Sequence, residues 1–307
     1  MTKTHSANGL VWIDLQSPSD DEILSLIKRY GLHPLAGEEL KDLPSPAKVD
    51  IYPDYMLVVL TFPIRVNKDG RYEIVNREID FVIGKGYLIT SHPDGIDQLE
   101  YFAKIFEANA ILSKGGGIEH TGHLFHHMVK RLYAGMYEDL DNVRDALMAA
   151  EERIFSGDER KMVEVLSSLS RELIDFRESA RIHADIWEDM VKIKDKQLFG
   201  EDFSPYFRDI RDSFTQIREL IANSRELVSD LRETNDSLLN THQNDIMKTL
   251  TIINFIFIPS TFIAALFTIP AVRVPFIDAP WGWSALFGMM VVMTGGIWLS
   301  IKRKGWL

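Results

Sequence analysis

Apolar residues in the first third of the chain fall into short runs separated by turn residues. Leu10–Leu15 and Tyr55–Phe62 are rich in β-branched and aromatic residues and predict strands. Between them, Ser17-Pro-Ser-Asp-Asp21 caps a helix that runs to Tyr30, with Ile23, Leu24 and Ile27 as its apolar positions and Gly31 as its stop. Asn67-Lys-Asp-Gly70 carries the Asp-Gly pair of a hairpin turn, and Arg71–Ile83 and Tyr87–Thr90 continue the sheet on either side of Gly84-Lys-Gly86. Ile96–Ala108 is helical in spacing, and Ser113-Lys-Gly-Gly-Gly117 closes an α/β domain over residues 1–117. Strand signals then vanish. Residues 118–204 form a helical region, with one long helix over His120–Phe155, another helix or pair over Asp158–Leu198, and a break at Gly200–Pro205.

After Pro205 the apolar spacing becomes regular. Ile210, Phe214, Ile217, Ile221, Ser224, Val228, Leu231, Asn235, Leu238 and His242 follow one another at alternating steps of four and three. That is the seam of a left-handed coiled coil, with polar residues at some positions. Two readings are open: an amphipathic helix packed on its own domain, or a seam between copies of the chain. Continuity with the segment that follows favours self-association. No Pro or Gly interrupts Tyr206–Ile258, which makes a helical rod of roughly 80 Å.

Two stretches without charge settle the broad class. Thr249–Val272 is 24 residues long and Ala279–Ile301 is 23, each exceeding the ~20 residues that cross a hydrocarbon core as a helix. They predict a long stalk and pore helix over 205–270 that includes the first span, an outer loop over 271–280, a second span over 281–301 and a basic tail over 302–307. Lys302, Arg303 and Lys304 place that tail in the cytoplasm by the positive-inside rule, and two spans return the N-terminal part to the same side. The expected location is a bacterial inner membrane, multi-pass, with both termini cytoplasmic. Met1–Asn8 is polar and lacks the apolar core of a signal peptide.

The first span carries a polar stripe at the same four-three spacing: Asn244, Met247, Thr251, Asn254, Ile258, Thr261, Ala265 and Thr268. Lipid cannot satisfy amides, so this stripe must meet water or another helix. It serves either as helix–helix glue or, with several copies arranged in a ring, as the wall of a water-filled pore. No Asp, Glu, Lys or Arg lies in it. Neutral amide and hydroxyl oxygens suit a hard cation that keeps its waters, as magnesium does, better than zinc, which takes imidazole or carboxylate directly. Met247 and Ile258 can gate by dewetting.

Composition narrows the alternatives. With Lys+Arg 34 and Asp+Glu 45, the 307-residue chain has net charge −11, which argues against nucleic acid as a partner. It has no cysteine, so thiolate metal sites, disulfides and cysteine nucleophiles are excluded. The mean hydropathy of −0.07 averages an acidic body with an apolar C-terminal end. His123 and His127 share a helix face four residues apart and can chelate zinc, or belong to a solvated capping cluster with His120 and His126. Gly115–Gly117 has no following Lys-Ser/Thr and makes no phosphate loop. Glu151-Glu-Arg153 reads as a solvated face. No nucleophile–base arrangement is present, so neither enzyme activity nor an organic cofactor is expected.

Several segments resemble the CorA/ZntB-type divalent cation transporters, over essentially the whole chain. They are Trp12-Ile-Asp-Leu15, Gly31-Leu-His-Pro-Leu35, Tyr87-Leu-Ile-Thr-Ser-His92, Tyr206-Phe-Arg-Asp-Ile-Arg-Asp212, Asn244–Ile253, Thr261-Phe-Ile-Ala264 and Lys302–Leu307. The resemblance implies a homopentameric funnel: α/β cytoplasmic domains, five long stalk helices around a pore, and an outer ring of second spans. Its partners would be the lipid bilayer and divalent cations, with Mg2+ or Zn2+ as transported or regulatory ion. Asp209 and Asp212 match the helix whose acids bind regulatory cations between subunits in that family.

One departure is large. Where the family closes its first span with Gly-Met-Asn or Gly-Ile-Asn, this chain has Thr268-Ile269-Pro270. Pro270 has neither the amide nor a backbone N–H. The expected function is divalent cation transport, magnesium first, with zinc, cobalt or nickel as alternatives. The rival of another class is a non-conducting membrane scaffold or envelope-stress regulator with a degenerate filter.

Overall fold

The structure, a computed structural model, describes residues 2–7, 9–41, 45–68, 71–93, 96–112, 120–192, 203–268 and 280–303. The linker at 113–117, the 200–202 part of the break before Pro205, Ile269, Pro270 and the outer loop through residue 279 lie outside them. The chain divides into two compact units, 1–232 and 233–307.

A six-stranded sheet forms the middle of the first unit. Its strands are β1 (Thr2–Ala7), β2 (Leu10–Gln16), β3 (Lys48–Ile51), β4 (Tyr55–Lys68), β5 (Arg71–Gly84) and β6 (Tyr87–His92), in spatial order β1-β2-β6-β5-β4-β3. Only β2 and β6 pair in parallel, Trp12 opposite Leu88; the other neighbours are antiparallel. The pairing of Lys68 with Arg71 brackets the expected hairpin turn, whose tip lies outside the described residues.

The six residues Tyr55–Leu60 are all buried. Alternate strand residues point to opposite faces, so both faces of the sheet are covered. On one face Tyr55, Leu57 and Val59 join Ile13, Leu15, Val82 and Ile89 in a core closed by Ile23 and Leu26 of α1 (Asp20–Tyr30) and Ala36 of α2 (Pro34–Glu39). Helix α1 starts at a capping box in which Ser19 and Glu22 satisfy each other's backbone N–H groups. It ends at Gly31, whose φ of 65° is the left-handed conformation that glycine adopts without a Cβ clash. On the other face, Phe81 meets Phe125 at 5.2 Å between ring centroids, and Phe62 meets Tyr133 at 5.7 Å. These two partners lie on α4 (Thr121–Phe155).

Helix α3 (Asp97–Leu112) covers the β1 end, with Phe102 and Phe106 set edge-on to Trp12. It approaches α4 at Gly135, where an added Cβ would stand 2.6 Å from Gln98. Among the described residues, the expected helix or pair after Asp158 is a pair, α5 (Glu159–Ala180) and α6 (His183–Lys192); residues 193–198 lie outside them. Arg65 of β4 ties α5 to the sheet: its Nε bonds Glu172 Oε2 at 2.9 Å, both side chains are under a tenth exposed, and its guanidinium lies 3.5 Å from the centre of the Tyr72 ring. The helical region and the sheet therefore share one core.

Helix α7 (Ser204–Thr268) has 65 residues and α8 (Gly282–Arg303) has 22. Within the first unit, the α7 seam is buried by the chain itself: Ile210, Phe214, Ile217, Ile221, Ser224, Val228 and Leu231 are all under 5% exposed. The Phe214 ring lies 5.8 Å from Tyr133 and 5.6 Å from His183, and Arg232 Nη2 reaches the Leu166 carbonyl at 3.5 Å. Over Ile210–Leu231 the amphipathic-helix reading holds, and the expectation of a seam between copies is corrected. An alternating spacing of four and three describes any helix lying along other helices. Here α4, α5 and α6 supply the partners.

Candidate functional site

In the second unit, α7 and α8 are both long and apolar enough to cross a membrane. Their mutual contact divides the faces of α7. Ile252, Ile256, Pro259, Ser260 and Ile263 are half-buried, as are Leu286, Met290, Thr294, Ile297 and Ile301 of α8. Ser260 Oγ and Thr294 Oγ1 are hydrogen-bonded at 2.9 Å between these two faces.

The polar stripe lies elsewhere on α7. Asn244, Met247, Asn254, Ile258, Thr261, Ala265 and Thr268 are exposed and Thr251 is half-buried. From His242, the end of the seam spacing, to Asn244, the start of the stripe, is two residues, or about 200° around the helix. The stripe is thus not a continuation of the seam but occupies the opposite side, and the expectation that one line runs into the span is corrected.

Its hydroxyls are oriented by the helix. Thr251 Oγ1 donates to the Met247 carbonyl at 2.7 Å, Thr261 to Phe257 at 2.9 Å and Thr268 to Ala265 at 2.8 Å. Each donates its hydrogen inward and leaves its lone pairs outward as acceptors. Asn254 makes no side-chain hydrogen bond among the described residues and stands exposed in the apolar part of the helix. Of the departing signature, Thr268 is the last residue of α7, while Ile269 and Pro270 lie outside the described residues.

The expected regulatory acids sit in the first unit and hold cations from their own chain. Asp209 Oδ2 lies 2.8 Å from Lys130 Nζ and 2.7 Å from His126 Nε2. The Lys130 hydrogen bond is the main influence holding the Asp209 carboxyl below the usual range, reinforced by His126 against the cost of burial. Asp212 Oδ1 is paired with Arg211 at 3.1 Å. Lys130 escaped the sequence reading, and His126 was read only as part of the histidine cluster, although their spacing of four puts both on one face of α4.

The expected zinc pair is not joined by further ligands. His123 packs its ring on Tyr206 at 4.7 Å and on Phe203 at 5.5 Å, and His127 meets the His126 ring at 5.2 Å. No group of three or more metal-type side chains occurs among the described residues. Burial is the first cause that lowers the pKa of both His126 and His127, which favours neutral rings. His120 caps α4 by accepting the Gly122 N–H at 3.0 Å.

A family model described as CorA-like Mg2+ transporter protein matches residues 7–303. The chain belongs to that family. Its homology to the cobalt/magnesium transport protein CorA of Thermotoga maritima is 23% identity over 302 residues, 96% of this chain and 83% of that protein. The CorA magnesium transporter structure from Methanocaldococcus jannaschii superposes with a TM-score of 0.81 at 22% identity, covering 97% of this chain and 92% of that one. The zinc transport protein ZntB of Pectobacterium atrosepticum is 31% identical over 71 residues, 23% of this chain and 22% of its own length. The CorA-like fold seen here is that of a membrane transporter, with a sheet-containing first unit, one long helix and two apolar C-terminal helices.

Proposed function

We propose that the chain is a pentameric inner-membrane channel or carrier for divalent cations, with magnesium as its first substrate and the α7 stripe as its pore wall. The observation that carries this reading is Asn254: an exposed amide in the apolar part of α7, without a side-chain partner among the described residues. In hydrocarbon such a group requires water or another subunit. Five copies around an axis place a ring of carbonyl oxygens there, with hydroxyl rings from Thr251 and Thr261 on either side. These are acceptors for the water shell of an ion that dehydrates reluctantly. The ring lies 14 residues before Thr268 in the sequence, roughly 21 Å along the helix. The working filter is therefore moved inward from the position of the family signature.

The basic residues Lys302 and Arg303 at the end of α8, with Lys302 stacked 5.2 Å from the Trp298 ring, mark the cytoplasmic interface. Asp209 takes the Lys130 ammonium in place of a regulatory divalent cation.

Ion flux into proteoliposomes with magnesium, zinc, cobalt and nickel tests the reading. Wild type carries magnesium, and Asn254→Leu abolishes flux while leaving the oligomer assembled. Normal conduction by Asn254→Leu places the filter elsewhere, and zinc flux without magnesium flux selects the zinc alternative. Thr268-Ile269-Pro270 favours the scaffold reading. That reading prevails if neither wild type nor a variant restored to Gly-Met-Asn carries any divalent cation.

A further inference from the structure

Four arginines converge on one cavity of about 540 Å³ in the first unit, far from the polar stripe in sequence. Arg177 and Arg181 come from the last turn of α5 and its C-cap; Arg218 and Arg225 come from α7. Its apolar lining is Ala180, Ala184, Ile221 and Ala222, with Ala180 and Ile221 buried and Ala222 exposed, and the four arginines make its charged rim. The volume lies in the range of small-molecule sites, roughly 300–1,000 Å³.

The charge of this rim is largely uncompensated. Arg177 is paired with Glu178 at 2.8 Å, and Glu178 is the only acid lining the cavity among the described residues. Arg181, Arg218 and Arg225 have no ion pair or hydrogen bond among the described residues. In a chain of net charge −11, three unpaired guanidinium groups around one cavity call for an anion. Guanidinium forks match the geometry of phosphate oxygens, two bonds at a time. Arg218 and Arg225 are seven residues apart, about 10 Å along the helix. That distance is wide for one phosphate and suits several linked in a row.

We infer that this groove binds a linked-phosphate anion, of the class of a nucleoside triphosphate or inorganic triphosphate. Anion binding here stands on the arginines alone; only its link to magnesium supply rests on the proposed function. The arginines supply the positive charge that magnesium gives the same anion in solution, so the groove selects the metal-free form. Magnesium therefore competes with the groove for its ligand. Occupancy rises as free magnesium falls, which suits a site that reports the supply of the ion this protein is proposed to carry.

Calorimetric titration of the full chain in detergent tests this with inorganic triphosphate, ATP and adenosine. Triphosphate and ATP are expected to bind saturably at one site per chain, and adenosine not at all. Binding of ATP alone assigns the site to a nucleotide; binding of both assigns it to the phosphates. Affinity is expected to drop about tenfold or more in Arg218→Ala/Arg225→Ala, and to drop in the single variant Arg181→Gln. It is expected to stay unchanged in Arg160→Ala, an exposed arginine outside the groove. Added magnesium is expected to weaken binding. Circular dichroism confirms that each variant is folded. No saturable binding by wild type, or binding equal in wild type and all groove variants, overturns the proposal. It is also overturned if wild type binds no phosphate and Arg218→Glu/Arg225→Glu breaks up the oligomer, since the groove then holds acids of a second copy.

Discussion

The Nε2 atom of His126 and the Oδ2 atom of Asp209 lie 2.7 Å apart, joining the start of α4 to the start of α7 across 83 residues of sequence. Lys130 Nζ reaches the same oxygen at 2.8 Å. One carboxylate thus has two nitrogen donors from a single helix face, and its charge is already matched.

This contact predicts how the first unit answers divalent cations. Millimolar magnesium is expected to leave the protease sensitivity of wild type unchanged, because Lys130 holds the carboxylate. Lys130→Ala frees Asp209, and magnesium protection is expected to appear. Asp209→Asn added to that variant should abolish it. Limited proteolysis with and without magnesium reads all three, and strong magnesium protection of wild type that depends on Asp209 would reverse the assignment.

A second prediction concerns acid. His183 is fully buried, bonded to Tyr133 Oη at 2.7 Å and to the Thr61 carbonyl at 3.0 Å, and burial pushes its pKa down to about 4. The unfolded chain takes up this proton near the ordinary histidine value of ~6.5. The unfolded state therefore binds more protons between those values, and stability rises with pH across the window. Stability is expected to fall as pH drops from about 6.5 towards 4, by on the order of 3 kcal/mol from this residue. His126 and His127, also shifted downward, act in the same direction. Thermal denaturation at a series of pH values should show the slope, and His183→Gln should flatten it; an equal slope in both proteins would remove His183 as its source.

The α7 seam makes a third. Ile217 and Val228 are 2% and 3% exposed inside a single chain. Ile217→Asp or Val228→Asp buries an unpaired carboxylate there, at a cost of several kcal/mol. The subunit itself is expected to lose its cooperative thermal transition. A variant that keeps that transition and only changes its mass in detergent would return the seam to an interface between copies.

The fourth concerns the paired spans. Removing the Ser260–Thr294 hydrogen bond by Ser260→Ala or Thr294→Val should destabilise the α7–α8 contact by about 1 kcal/mol. The double variant should cost little more than either single one. Steric trapping or detergent titration would measure the cycle, and strict additivity would show that the two hydroxyls act independently.

Much of the architecture was legible in the order of residues. The uncharged lengths of Thr249–Val272 and Ala279–Ile301 require helices wherever hydrocarbon surrounds them, since backbone groups must pair within the segment. The Ser19–Glu22 capping box and Gly31 bound α1 by local hydrogen bonds alone. Strand β1 over Thr2–Ala7 had no such signal. Its polar alternation becomes a strand because β2 offers a free edge, with Thr4 opposite Ile13. Helix α2 and strand β3 are likewise short and held by what they pack on.

The functional residues divide in the same way. The four-three spacing on α7 follows from the helical repeat and is visible in the chain alone. Whether it meets its own subunit or another depends on the helices that lie beside it, and α4, α5 and α6 cover it. That Ser260 faces α8 while Asn254 stands free is decided by the contact with Thr294, 34 residues on. Asp209 reads in sequence as an open carboxylate on a helix. Only the tertiary structure brings Lys130 and His126 to it, because charge pairing acts through space and is indifferent to distance along the chain.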